Sequence, residues 1–350
     1  MKLTRRQFLQ ASAASALGAL LHPRRATASG TGSTAASAAT KNIFVVTWRG
    51  RTNAEIGFVD YWREQGERNG MNANFIYRDA GQNRATLADI ANEAVRARPD
   101  LIYTWGTPPT VGLAGTVDAP HDIIGRKIPL VFSSVADPVA AKIVTSLGAT
   151  ESAAGRNITG VTHVAPLLAQ WNAMRTYHPT KVVGILYNRL EPNAAANVEE
   201  WRRLASLSGF RIVAEAFNVH NGVPTNDGVD LIVKRIRAAG ADWLYLGPDS
   251  YLFTQINTVA TLATAAGLRT FAATESHLNA KAPVLAGLVS TFYQVGQFAA
   301  AKSIQRLRGE RAIPIEALKR FSLIVRLDTA RTLGAYPPLA MIDYAEFRDG

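Results

Sequence analysis

The sequence predicts an α/β protein built from two doubly wound parallel-sheet lobes, and three observations predict it. Two βαβ series of comparable length follow one another from Lys41 onward. Their strands, such as IPLVF at 128–132, are apolar without polar alternation, as strands covered on both faces are. Each strand then breaks into a loop carrying Ser, Thr, Tyr or Asp. In open parallel sheets ligands sit at the carboxyl ends of strands, so these loops are candidate walls of a binding site.

Taken in order, residues 1–28 read as a twin-arginine signal peptide. Thr4, Arg5, Arg6, Gln7, Phe8 and Leu9 form the twin-arginine pattern, an apolar run follows to Leu21, and Ala26, Thr27 and Ala28 offer an A-x-A cleavage site. About 13 mildly apolar residues are too few to span the ~30 Å hydrocarbon core of a bilayer. Residues 29–40 are rich in Ser, Ala, Gly and Thr and read as a flexible linker.

The first series has strands at 42–47, 74–77 and 101–105 and helices at 54–69 and 87–98, the latter with apolar residues at amphipathic spacing before Pro99. Thr107 is placed to cap a helix with Pro108 at its first position. A surface loop over 118–127 leads to the strand at 128–132, which delivers Ser133 and Ser134 to Asp137 and Pro138. There Asp137 suits an N-cap and a helix is expected to follow to Leu147. The second series has strands at 158–162, 181–187, 211–216, 243–246 and 270–273. Its helices are expected at 166–177, 193–208 (closed by Gly209), 229–239 and 250–266. The tail adds a strand at 287–290, a helix at 293–307 and a strand at 322–327.

Composition excludes several classes. Hydrophobic content of 47% with 19% charged residues fits a folded globular chain. The formal charge of +11 is partly the leader's: Lys2, Arg5, Arg6, Arg24 and Arg25 leave 33 basic against 27 acidic residues elsewhere, a balance of +6 without runs. A nucleic-acid partner is therefore not expected. With no cysteine, disulfides, thiolate metal sites and a lipidated leader are excluded. His22, His121, His163, His178, His220 and His277 show no metal-ligand spacing, and no G-x-S-x-G, H-E-x-x-H or P-loop pattern is present. No metal, cofactor or catalytic residue is expected.

Several stretches also carry a resemblance. IPLVFSSVADPVAAKIVTSL at 128–147, NITGVT at 157–162, VVGILYN at 182–188, the run at 77–109, and AGLVSTFYQVGQFAAAKSIQRLRGE at 286–310 resemble the tryptophan/tyrosine family of ABC-transporter substrate-binding proteins. The similarity runs roughly over 41–344. It implies a type I periplasmic binding-protein fold, two lobes joined by a three-segment hinge with crossovers near 159–164, 285–291 and 317–322. The lobes are then 41–160 plus 287–318 and 161–286 plus 319–350. The chain departs from the family pattern at 148–156, at Arg189 and at Thr274 and Glu275, all in or near loops of the expected cleft.

The resemblance implies a periplasmic, monomeric solute-binding component of an ABC importer. It would close on a small zwitterion, an aromatic or branched amino acid or a relative, and serve a membrane permease and ATPase. An α-amino acid presents a carboxylate, an ammonium and a side chain, each needing its own partner. Thr107 and Ser134, at two expected helix starts, suit the carboxylate, with Ser133 the less favoured neighbour because alternation lets only one face the cleft. Asp249, then Glu275, suit the ammonium; Asp137 reads foremost as a cap. Trp48, Trp105, Tyr187, Tyr251 and Tyr293, with Asn188, sit at strand ends or an inferred crossover where flat faces can sandwich a side chain. Trp62, Trp171, Trp201 and Trp243 read as packing. Two alternatives remain open: a module reporting ligand occupancy to a membrane receptor, and a secreted two-lobe hydrolase or isomerase using Asp137, Asp249 or Glu275.

Overall fold

The computed structural model describes residues 39–147 and 155–349. The leader, the linker up to 38 and most of the departure at 148–156 lie outside the described residues. Ala39 and Thr40, expected in the linker, are instead the first residues of a strand.

The first lobe opens with β1 (Ala39–Thr47), α1 (Asn53–Gln65), β2 (Met71–Asp79), α2 (Leu87–Ala97), β3 (Leu101–Trp105), α3 (Thr107–Ala114), β4 (Leu130–Ser133) and β5 (Ile158–Thr162). The chain then passes to α4 (Leu167–Tyr177), β6 (Val182–Tyr187), α5 (Pro192–Ser208), β7 (Arg211–Ala216), a hairpin of β8 (Asn218–His220) and β9 (Val223–Thr225), α6 (Val229–Ala238) and β10 (Trp243–Leu246). After α7 (Ser250–Thr254), α8 (Ile256–Ala265), β11 (Arg269–Ala272), α9 (Glu275–Leu278) and β12 (Ala286–Val289) it returns to the first lobe through α10 (Phe292–Leu307) and β13 (Glu316–Ala317). It ends on the second with β14 (Ser322–Arg326), α11 (Leu327–Leu333) and β15 (Ala345–Arg348).

Among the described residues the first sheet runs β13-β5-β4-β3-β1-β2, all parallel, and the second runs β15-β14-β12-β11-β10-β6-β7, with only the β12–β14 pair antiparallel. Both contain the same doubly wound order, in which the first strand of each lobe lies between the second and the third. The crevice where the order reverses therefore falls between β1 and β3 in one lobe and between β6 and β10 in the other. Sheet membership places three chain crossings, after β5, after β12 and after β13, and the first two are tied by a bridge between Val164 and Val289. β12 belongs to the second sheet, so that crossing falls at 290–291.

Local chemistry explains most elements. β1 from Ile43 onward, β3, β4 and β5 are buried on both faces, as continuous apolar runs require. α1 begins with a capping box, Thr52 accepting from Ala54 while Glu55 accepts from the Thr52 amide. α5 ends on Gly209 in the left-handed conformation. Trp62, Trp171, Trp201 and Trp243 are all buried in the cores.

Two expectations are corrected. Asp137 accepts from the amides of Val139 and Ala140 as a cap does, but only turns follow over 138–143, because Lys142 takes a positive φ of 54° that stops the winding. Thr107 is the first residue of α3 rather than its cap; Gly106, at φ 89°, occupies the cap position. The β8–β9 hairpin, α11 and β15 carried no clear sequence pattern.

Candidate functional site

The strand ends of the two reversal crevices face each other across a cleft. β1 delivers Trp48 and Arg49 before Gly50 (φ 71°) turns the chain toward α1; β3 delivers Trp105, Gly106 and Thr107; and β4 delivers Ser134, itself at φ 55°. From the second lobe β10 delivers Pro248 and Asp249, α7 brings Phe253, and β11 leads into Thr274 and into Ser276 and His277 of α9. His163, on the first crossing, and Phe292, at the second, close the hinge side. The space left inside is about 70 Å³, room for a couple of waters.

It is small because Arg49 lies across it. Arg49 Nη2 donates to Ser276 Oγ on the opposite lobe at 2.6 Å. Its guanidinium carbon stands 3.4 Å from the ring centre of Phe253 and 4.9 Å from that of Trp105. A planar cation thus lies between one aromatic ring from each lobe. Burial lowers its pKa to about 10, an effect the negative charge of Glu55 partly offsets. Among the described residues no carboxylate lies within 4 Å of it. Trp105 also meets Phe292 edge to face at 5.7 Å.

The acidic groups are turned to structural use. Asp249 Oδ1 accepts from the amides of Tyr251 and Leu252, capping α7, and Oδ2 accepts from the Asn188 amide. Burial first, then the negative charge of Glu191, pushes its pKa up to about 7. Glu191 accepts from the amide and hydroxyl of Ser250, and burial raises its pKa as well. His163 and His277 are buried and neutral, desolvation lowering them to about 4 and about 3.

Of the residues expected at the site, Trp48, Trp105, Thr107, Ser134 and Asp249 line this cavity. The others are placed elsewhere. Ser133 is fully buried and shares a hydrogen bond with the Tyr103 hydroxyl, which in turn donates to Glu55, so it faces the first lobe's interior. Asp137 lines an adjoining, open groove of about 910 Å³ beside the crossings, which shares Ala136, Asn193 and Pro248 with the cavity. Tyr187 packs against the second lobe's core, and the Asn188 side chain accepts from the Leu190 amide. Tyr251 packs edge to face on Phe217 at 4.9 Å. Glu275 accepts from the Phe292 amide at the start of α10, and its pKa is raised by burial. Tyr293 is partly exposed and donates to Asp60 on α1. Each sits within a residue or two of a cleft position, but local hydrogen bonding or packing turns it away.

Sequence reasoning passed over Arg49, Phe253, Ser276, His163, His277 and Phe292. Arg49 had a usable signal, a strand-end position directly after Trp48. Phe253 and Ser276 reach the cavity only through short helices whose direction follows from the tertiary packing.

Comparison with known proteins agrees with this architecture. Residues 42–346 match the family described as ABC transporter substrate binding protein. A tyrosine-binding protein of Clostridioides difficile is 24% identical over 283 residues, which is 80% of this chain and 76% of that protein. A solved structure of a conserved domain protein from Vibrio cholerae superposes with a TM-score of 0.73 at 24% identity, covering 88% of this chain and 99% of the other. An ABC domain from Streptococcus pneumonia in complex with L-Trp superposes with a TM-score of 0.70 at 19% identity, covering 87% and 99%. These structural neighbours share the two-lobed type I periplasmic binding-protein fold. With nearly all of its described residues inside the match, the chain belongs to the family of ABC transporter substrate-binding proteins.

Proposed function

We propose that this chain is the extracytoplasmic solute-binding component of an ABC importer. It is exported through the twin-arginine leader at 1–28, works as a monomer, and hands its ligand to a membrane permease and ATPase. The ligand is a small molecule with a flat or apolar body and a carboxylate, the class to which aromatic and branched amino acids belong. Members of the family bind substrates and do not transform them. No helix among the described residues is long and apolar enough to cross a membrane, in keeping with a binding protein that meets its permease at the surface.

The observation that carries the reading is the contact from Arg49 to Ser276 across two facing strand-end crevices. Groups from both lobes converge on one small space, so a ligand there gains contacts only when the lobes are closed. That differential affinity is what drives hinge closure. The relatives that bind tyrosine and L-Trp support an aromatic ligand for this chain as well.

The test is a thermal melt of the purified protein against amino acids, aromatic acids, small amides and sugars. A ligand held at ~100 times its Kd adds about 2.7 kcal/mol to stability. An upward shift with an aromatic or branched compound, accompanied by a smaller radius of gyration in solution scattering, supports the reading. A protein that neither shifts with any compound nor releases a small molecule on denaturation overturns it. Loss of uptake of that compound on deletion separates import from signalling.

A further inference from the structure

Resting on the binding reading above, we propose that the cleft selects a flat, aromatic organic carboxylate and makes no demand for an ammonium group, with Arg49 as the residue that holds the carboxylate. Arg49 offers five N–H groups, and the hydrogen bond to Ser276 uses one. Its side chain is only partly buried, its remaining nitrogens stay accessible to a molecule in the cleft, and among the described residues it has no carboxylate within 4 Å.

Two further polar atoms of the same cavity are buried without a partner, Trp105 Nε1 and Ser134 Oγ. An indole N–H can only donate, so it calls for an acceptor. Ser134 is held at a positive φ that a serine rarely adopts. Arg49, Trp105 and Ser134, all of one lobe, thus line one cavity with donors that a ligand oxyanion would suit, and a carboxylate matches the planar fork of an arginine.

The complementary half of an amino-acid site is already spent. The oxygens of Asp249 hold three backbone amides, Glu191 holds Ser250, and Glu275 holds Phe292. Burial and Glu191 also draw Asp249 toward its neutral form. His163 and His277 are neutral, so Arg49 is the cation that a ligand meets on the cavity wall. Phe253 and Trp105 now flank the flat guanidinium, and a ligand ring would take its place between them once Arg49 swings toward the ligand carboxylate and the cavity widens.

The experiment is calorimetry on protein unfolded and refolded to strip bound ligand. The probes are indole-3-propionate and 3-(4-hydroxyphenyl)propionate, the amino acids tryptophan and tyrosine, and the amines tryptamine and tyramine. The acids are expected to bind at least as tightly as the matching amino acids, and the amines not at all. Arg49→Gln should weaken the acids at least tenfold and Arg49→Lys should recover part of that, each variant keeping the parent melting temperature within a few degrees. Amino acids that bind tenfold more tightly than their acids, or amines that bind, overturn the inference and leave the binding reading standing. If none of the six binds, the molecule released on denaturation decides: a carboxylate without an ammonium supports the inference, and a molecule without a carboxylate overturns it alone. A protein that binds none and releases nothing overturns both.

Discussion

The amide of Asn188 donates to Asp249 Oδ2 at 2.5 Å, joining the ends of the neighbouring strands β6 and β10 at the reversal point of the second lobe. With Oδ1 capping α7, Asp249 is a bracket for three segments whose carboxyl group stands in a buried place.

That bracket predicts a pH dependence. The Asp249 pKa is about 7 when folded against 3.8 as a free side chain, so the folded state holds the extra proton between those values. Stability from this group is greatest below about pH 4 and falls as pH rises toward 7. Asp249→Asn carries no titrating proton and should flatten that slope, while costing some stability at low pH through the lost Asn188 contact. Urea denaturation of both proteins from pH 4 to 8 checks it, and parallel slopes would count against the assignment.

Close helix packing in the first lobe gives a second prediction. A Cβ on Gly296 of α10 would stand 1.9 Å from the Ala54 carbonyl oxygen of α1, and one on Gly57 would stand 2.1 Å from the Tyr293 carbonyl oxygen. Both obstacles are backbone, so the helices must move apart. Gly296→Ala should cost about 1–3 kcal/mol, as overpacking does, despite alanine's better helix propensity. Chemical denaturation gives the sign directly.

The same interface holds a buried side-chain hydrogen bond, Trp62 Nε1 donating to Ser303 Oγ at 2.8 Å. Ser303→Ala leaves the indole donor without a partner, and the expected loss is about 1–3 kcal/mol. Ser303→Thr keeps the oxygen and should lose less. Indole fluorescence of the variants, followed through denaturation, measures both.

Lys302 supplies a contrast. Its ammonium is sunk beneath α10, held by the Pro314 carbonyl and Glu316 at 2.6 Å each, and burial lowers its pKa. Removing Glu316 strips a buried charge of its partner and should destabilise by about 3 kcal/mol, somewhat less because the Glu316 side chain is 42% exposed. Lys302→Met replaces the charge by an apolar stem of similar length and should be nearly neutral. Equal losses in the two variants, measured by melting, would sink this account.

The strands of both lobes were legible because buried parallel strands are continuous apolar runs, and most begin and end within two or three residues of their pattern. The rule that loops at strand carboxyl ends form the site placed Trp48, Trp105, Thr107, Ser134 and Asp249 on the cavity wall. It also named Ser133, which alternation turns into the first lobe's interior, and Tyr187, Asn188 and Tyr251, which packing or a local hydrogen bond holds in the second lobe. Glu275 and Tyr293 went astray for another reason: each was claimed by a helix, Glu275 by the start of α10 and Tyr293 by Asp60 of α1.

The sequence by itself determined the two doubly wound lobes, the leader pattern, the absence of thiol chemistry and the strand-end positions from which a site must be built. These depend on periodicity and short-range sterics, which a linear chain displays openly. Only the tertiary structure decided which of those positions meet. Arg49 and Ser276 are 227 residues apart, and Arg49 becomes the central charge of the cleft because two lobes face each other and bring Phe253 and Trp105 to either side of one guanidinium. No local pattern encodes that meeting, since it follows from how the chain crosses three times between lobes and packs each lobe against the other.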